Sequence, residues 1–92
     1  MIDDSSSIME DKKSSSVAFG LVLQELRRAG SLTQDALAEL AGTERSHISA
    51  LERAEKGPAL ATIFRLANAL NISASELIGL VETKIQQQKL SV

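Results

Sequence analysis

Residues 33–53 read TQDALAELAGTERSHISALER, and this stretch decides the fold. Thr33 suits a helix N-cap, because its hydroxyl can accept a hydrogen bond from a free first-turn amide. Leu37, Ala38, Leu40 and Ala41 follow, and the segment stops at Gly42. About eight residues do not make a stable isolated helix, so packing on a neighbour must hold this one. The next helix opens with almost no gap. Thr43 is placed to cap it, and Glu44 suits the positive end of its dipole. Its apolar anchors are only Ile48 and Leu51, and the rest of residues 44–53 is mostly polar. Such a helix packs along a narrow line and presents a wide face outward. Ala38 is small where the second helix must approach, and Gly42 supplies a cheap positive φ at the turn.

Counted from Gln34, the small, glycine, apolar and apolar residues take the fifth, ninth, fifteenth and eighteenth places. That is the spacing of a helix-turn-helix, whose generic alternative is a plain αα-hairpin. The flanking segments favour the former. Over residues 17–29, Phe19, Val22, Leu23 and Leu26 share one helix face. Ser16 is placed to cap this helix, and Gly30 stands where a left-handed C-terminal residue is wanted. After Pro58, residues 60–70 carry Leu60, Ile63, Phe64, Leu66, Ala67 and Leu70 at helical spacing. A fifth segment opens at Ser73, which with Glu76 has the spacing of a capping box. Leu77, Ile78, Leu80 and Val81 follow it.

The 92 residues fit one domain. Hydrophobic residues are 43% and charged residues 24%, an ordinary globular balance, and the net charge of −2 excludes nucleic-acid binding by bulk charge. With no cysteine and one histidine, His47, the chain has no disulfide framework, no cysteine nucleophile and no multi-histidine metal set. The only aromatic residues are Phe19 and Phe64, so the core must be aliphatic. No apolar run approaches the ~20 residues of a membrane span. Residues 1–16, MIDDSSSIMEDKKSSS, lack the basic start and apolar centre of a secretory signal. They read as a flexible N-terminal arm, and the chain is expected in the cytoplasm.

Residues 23–77 resemble the lambda-repressor-like helix-turn-helix family of the Cro/cI or xenobiotic-response-element type. The matching pieces are L-x-E-L-R at 23–27, S-L-T-Q at 31–34, A-L-A-E-L-A-G at 36–42, R-S-H-I-S-A-L-E-R at 45–53, Pro58, and L-A-N-A-L-N-I at 66–72. The resemblance implies an all-α domain of five helices whose third enters the DNA major groove. It implies that Gln34 contacts backbone phosphate, that Arg45, Ser46, Ser49 and Ala50 form the outward face of the recognition helix, and that Arg53 contacts phosphate just beyond it. It also implies a partly buried ion pair between Arg27 and Glu52. Two departures stand out. Ala54 replaces a usual glycine or asparagine, which puts the turn over residues 54–57 in question. Asn71 replaces a usual glycine, and asparagine tolerates the left-handed region.

The residue chemistry supports these roles separately. Arg45, Ser49 and Arg53 are spaced by four and share a helix face. Arg45 lies in the first turn, and its fork can donate two hydrogen bonds to guanine O6 and N7. Ser46 and Ser49 can reach phosphate or a base edge, and Ala50 can touch a thymine methyl. His47 either donates to a phosphate or stands in solvent. Thr43 and Lys56 complete the expected DNA-binding set. No catalytic group, metal site or cofactor is expected. Residues 17–80 hold six basic and seven acidic residues, so the core domain is nearly neutral and a dimer would supply affinity.

A stripe of Ile78, Val81 and Ile85 reaches past the expected end of the domain at residue 80, so residues 81–92 are expected to form a short extension that pairs two copies, the alternative being a sixth helix that folds back. These observations together predict a sequence-specific transcriptional regulator, most simply a repressor, binding double-stranded DNA as a homodimer. The alternatives are an antitoxin with its toxin partner, a restriction–modification controller, or a protein-interaction adaptor that does not bind DNA.

Overall fold

Five stretches of aliphatic residues at helical spacing bury their apolar faces against one another. In the computed structural model, which describes residues 4–90 with side chains over 13–89, they form α1 (Asp4–Ala29), α2 (Gln34–Ala41), α3 (Arg45–Glu52), α4 (Leu60–Ala69) and α5 (Ala74–Leu90). There is no strand among the described residues. Leu23, Leu37, Ile48, Leu51, Leu66 and Leu77 are fully buried, one or two from each helix. Ala18, Phe19, Val22, Ala38, Ala41, Ala67 and Val81 close the core around them. α1 packs on α3 and α5, while α2 packs on α3 and α4.

Local chemistry sets most boundaries. The Thr33 hydroxyl accepts from the Ala36 amide at 3.0 Å and starts α2. Gly42 ends it at φ 71°. Ser73 and Glu76 cap α5 reciprocally, at 3.1 and 3.0 Å. Asn71 takes φ 62° at the α4–α5 turn.

Several boundaries differ from expectation. The left-handed residue after α1 is Ser31, at φ 58°, not Gly30. The Leu32 amide reaches back to the Arg27 carbonyl at 3.0 Å, which makes Ser31 the residue that must turn. Thr43 does not cap α3. Its hydroxyl lies 2.8 Å from His47 Nδ1, and the N-cap position falls to Glu44, which makes no side-chain cap bond. Residues 4–16, expected as an arm outside the fold, continue α1. Within that stretch, Ser15 and Ser16 border an apolar groove, and Ser16 approaches Gly57. Met1 to Asp3 lie outside the described residues.

At the other end, α5 runs without a break past residue 80, so residues 81–90 are not a separate extension. Val81 is buried and Ile85 packs against the core, so most of the stripe expected to face a second copy is turned inward. Lys84 Nζ donates to Glu25 Oε2 at 2.7 Å and ties α5 to α1. The apolar residues left outside are Leu60 and Phe64 on α4, 70% and 58% exposed, with Leu21, Leu40, Ile78 and Leu80.

Candidate nucleic-acid interface

α3 is seated from behind by backbone contact. Gly20, inside α1, faces the last turn of α3 so closely that an added Cβ would stand 2.5 Å from the Leu51 carbonyl oxygen and 2.8 Å from that of Glu52. Glycine there lets two helices meet without an intervening side chain. Ile48 and Leu51 are buried on the same side of α3.

Beside this seat, Arg27 Nε donates to Glu52 Oε2 at 2.6 Å, Nη2 donates to Glu52 Oε1 at 3.1 Å, and Nη1 donates to the Leu32 carbonyl at 2.8 Å. The two side chains are 10% and 2% exposed, so this is a bidentate pair largely out of water. Burial pushes the Glu52 carboxyl up. Hydrogen bonds from Arg27, Gln34 and Gln24 and the Arg27 charge outweigh it and hold the group below the usual carboxylate range. The hydrogen bond to Glu52 likewise holds Arg27 above its usual value, against the opposing effect of burial.

The same carboxylate positions the start of α2. Gln34 Nε2 donates to Glu52 Oε1 at 3.0 Å. Gln34 Oε1 then accepts from Arg45 Nη1 at 3.3 Å. A hydrogen-bonded chain therefore runs from Arg27 in α1 through Glu52 and Gln34 to Arg45, the first residue of α3. Arg45 Nε also stands 3.8 Å from Asp35 Oδ1.

The first turn of α3 is open to solvent: Glu44, Arg45 and Ser46 are exposed, and His47, held to Thr43, is half-buried. Ser49 and Ala50 are half-buried, and Ala50 closes the turn after α3 by accepting from the Glu55 amide at 2.9 Å. Arg53 is exposed, and its Nε donates to Glu55 Oε2 at 3.0 Å. Ala54 takes φ 60°, so alanine adopts the left-handed turn that glycine would adopt freely. Lys56 is exposed on the following loop. The arrangement offers two guanidinium groups, hydroxyls and a histidine ring on and beside one short helix. Among the described residues no cluster of three metal-ligating side chains occurs.

The sequence model of the helix-turn-helix family HTH_3 matches residues 23–77, more than half of the chain. The chain belongs to this helix-turn-helix family. Control protein C.SmaI of Serratia marcescens is 38% identical over 56 residues, covering 61% of this chain and 67% of that one. The immunity repressor of Bacillus phage phi105 is 36% identical over 70 residues, 76% of this chain but only 48% of the repressor. Among solved structures, the restriction-modification controller protein C.AhdI of Aeromonas hydrophila superposes with a TM-score of 0.65 at 44% identity, covering 67% of this chain and 94% of that one. The helix-turn-helix protein is accordingly a DNA-binding transcription regulator.

The Arg27–Glu52 pair lies where the family resemblance implies it, and Gln34, Arg45 and Glu52 are brought together. Gln24 and Gly20 carry no site role in the sequence reading; of the acids, the sequence puts Glu55 near the reading face, where it pairs with Arg53, and Asp35 away from it, whereas Asp35 stands beside Arg45. An isolated glycine inside a helical pattern is a signal of close approach, and Gly20 carries it.

Proposed function

We propose that this helix-turn-helix protein binds a palindromic operator as a homodimer, with α3 in the major groove, and represses by occupying a promoter. The observation that carries this reading is the first turn of α3. It is exposed and bears Arg45, yet Gln34 braces it on a buried frame formed by Arg27 and Glu52. Preorganised donors at the tip of a rigid helix are what reading base edges requires. Arg45 is assigned to base edges with Ser46, Ser49 and Ala50. Arg53, Lys56, Gln34, Thr43 and His47 are assigned to the phosphate backbone. The large apolar residues left exposed on α4 and α5, above all Leu60, Phe64 and Ile78, support pairing of two copies through these helices.

A narrower reading is control of a restriction–modification system, favoured by the similarity to C.SmaI and C.AhdI, which are named as control proteins. The test is selection of bound duplexes from a random pool. A palindromic sequence is expected, and recovery of no preferred sequence overturns the reading. Sedimentation of the full chain tests the dimer, and a monomer at high micromolar concentration overturns it.

A further inference from the structure

Thr43 stands one residue before the N-cap of α3 and does not cap it, although a threonine hydroxyl suits that task. Instead the hydroxyl lies 2.8 Å from His47 Nδ1, one turn along the chain. The Thr43 amide is also engaged, donating to the Ala38 carbonyl at 2.9 Å. Both residues are half-buried. The second ring nitrogen, Nε2, makes no hydrogen bond among the described residues. None of their buried side-chain nitrogens or oxygens lacks a partner, so Nε2 must reach solvent. The ring is thus held at one nitrogen and offers the other.

Around α3, at about 100° per residue, Arg45 and His47 lie about 200° apart and flank the exposed Ser46, with Ile48 and Leu51 buried behind. The long Arg45 fork can reach into a groove from that border. The imidazole is short and half-buried, so it meets the backbone that rims the groove. A phosphate only accepts hydrogen bonds, so the neutral ring that pairs with it carries its hydrogen on Nε2. Nδ1 is then an acceptor, and the Thr43 hydroxyl is its donor.

We propose that Thr43 is a positioning residue, which holds the His47 ring by Nδ1 so that Nε2–H is ready to donate to a DNA phosphate. The inference rests on the DNA-binding reading of α3 given under Proposed function, and it names how two residues of that site act. With its amide and its hydroxyl hydrogen both committed, Thr43 serves the backbone through His47 rather than by a contact of its own. The bond stays closed on binding, so nothing is given up when the phosphate arrives. What it removes is the entropy cost of a ring that would otherwise be ordered at that moment.

The experiment titrates the full chain with a duplex that it selects from a random pool and with a scrambled duplex. His47→Ala is expected to weaken both by about three- to tenfold per subunit, since every duplex offers phosphate. Thr43→Val, which keeps the shape and loses the hydroxyl, should weaken both by about two- to fivefold. Thr43→Ser should bind within about twofold of the unaltered chain, because the hydroxyl returns. In the His47→Ala background, Thr43→Val should cost nothing further. Nitrogen NMR of the ring, in mildly alkaline buffer, should show the Nε2–H tautomer, with the Nδ1 signal moved by Thr43→Val and not by Thr43→Ser. Losses that multiply in the double variant would show that Thr43 touches DNA itself, and they overturn the proposal. So do the Nδ1–H tautomer, an unaffected Thr43→Val, or weakening by His47→Ala on the selected duplex alone, which is the mark of a base contact. If the unaltered chain binds neither duplex, the DNA-binding reading of α3 fails and the proposal with it, whereas those other outcomes overturn the proposal alone.

Discussion

The amide of Gln34 is turned with its nitrogen toward Glu52, 3.0 Å from Oε1. An ionised carboxylate only accepts hydrogen bonds, so this orientation is fixed by chemistry. Its consequence is that Gln34 shows an acceptor oxygen to Arg45 and keeps at most one free amide hydrogen for a phosphate. Gln34 and Arg45 should therefore act as a unit. In a cycle of Gln34→Ala, Arg45→Ala and the double variant on a selected duplex, the two losses should fall short of additivity by about 0.5–3 kcal/mol. Strict additivity would show that the two residues contact DNA independently.

Arg45→Ala and Arg53→Ala should leave different marks on the same titrations. Arg53→Ala should weaken all sequences alike and reduce the salt slope by about one per subunit. Arg45→Ala should cost about 1–3 kcal/mol on the selected duplex and much less on random DNA. Equal factors on both duplexes for Arg45→Ala would make it a phosphate contact.

The depressed Glu52 carboxyl has a defined pH signature. Its folded value lies below the unfolded one of about 4.3, so the ionised form is favoured by folding. That stability is complete above the unfolded value and is lost as pH falls through the folded one. Glu52→Gln leaves Arg27 buried beside a neutral partner, and truncating either member of such a pair costs about 3–5 kcal/mol. Thermal melts should therefore show a large deficit for Glu52→Gln at neutral pH that narrows below about pH 4. A deficit independent of pH would show that the charge of Glu52 is not the source.

Gly20→Ala reverses the usual helix preference. An alanine in mid-helix ordinarily stabilises by up to about 1 kcal/mol. Here its Cβ would meet the Leu51 and Glu52 carbonyl oxygens, which cannot move without shifting α3. Overpacking of that kind costs about 1–3 kcal/mol. The variant should melt lower than the unaltered chain, and a higher melting temperature would show that the α1–α3 contact is loose.

Ala54→Gly should work in the opposite direction. Alanine at φ 60° is held in a region that costs a residue with a Cβ roughly 1–2 kcal/mol. After the greater flexibility of glycine in the unfolded chain is subtracted, a gain of about 1 kcal/mol is expected, or about 4 °C or more in melting temperature. No gain would mean that the Ala50–Glu55 turn is not limited by that strain.

The legible parts of this fold are those that neighbouring residues decide. The Thr33 cap, the Ser73–Glu76 box and the left-handed Gly42 follow from side-chain oxygens and a missing Cβ within a few positions. The Arg27–Glu52 pair came from a family pattern, since nothing local joins residues 25 positions apart. The illegible parts depend on tertiary neighbours. The serine-rich start of α1 has no helical signature of its own, and its last turns lie against a groove shared with Gly57 and Pro58. The stripe of Val81 and Ile85 is legible as apolar but not as covered, because the length of α1 packed against α5 is not written in the sequence of α5. Leu60 and Phe64 stand at the same helical spacing as Ile63, Leu66, Ala67 and Leu70, and only the packing of α4 shows that they face out. At the site, Arg45 was legible as a donor, but its pairing with Asp35 requires knowing the angle between α2 and α3.

The approach of α1 at Gly20 separates what holds α3 from what α3 displays. The helix is gripped through main-chain atoms and through Ile48, Leu51 and Glu52 on its rear. Arg45 and Ser46, on the front, lie outside that grip, Arg45 meeting it only through the exposed hydrogen bond to Gln34, and changes at such exposed positions shift stability by no more than about 0.5 kcal/mol. The mounting is thus indifferent to the text it carries. A lineage, or an engineer, can rewrite the first turn of α3 to address a new operator while leaving the bearing surface untouched.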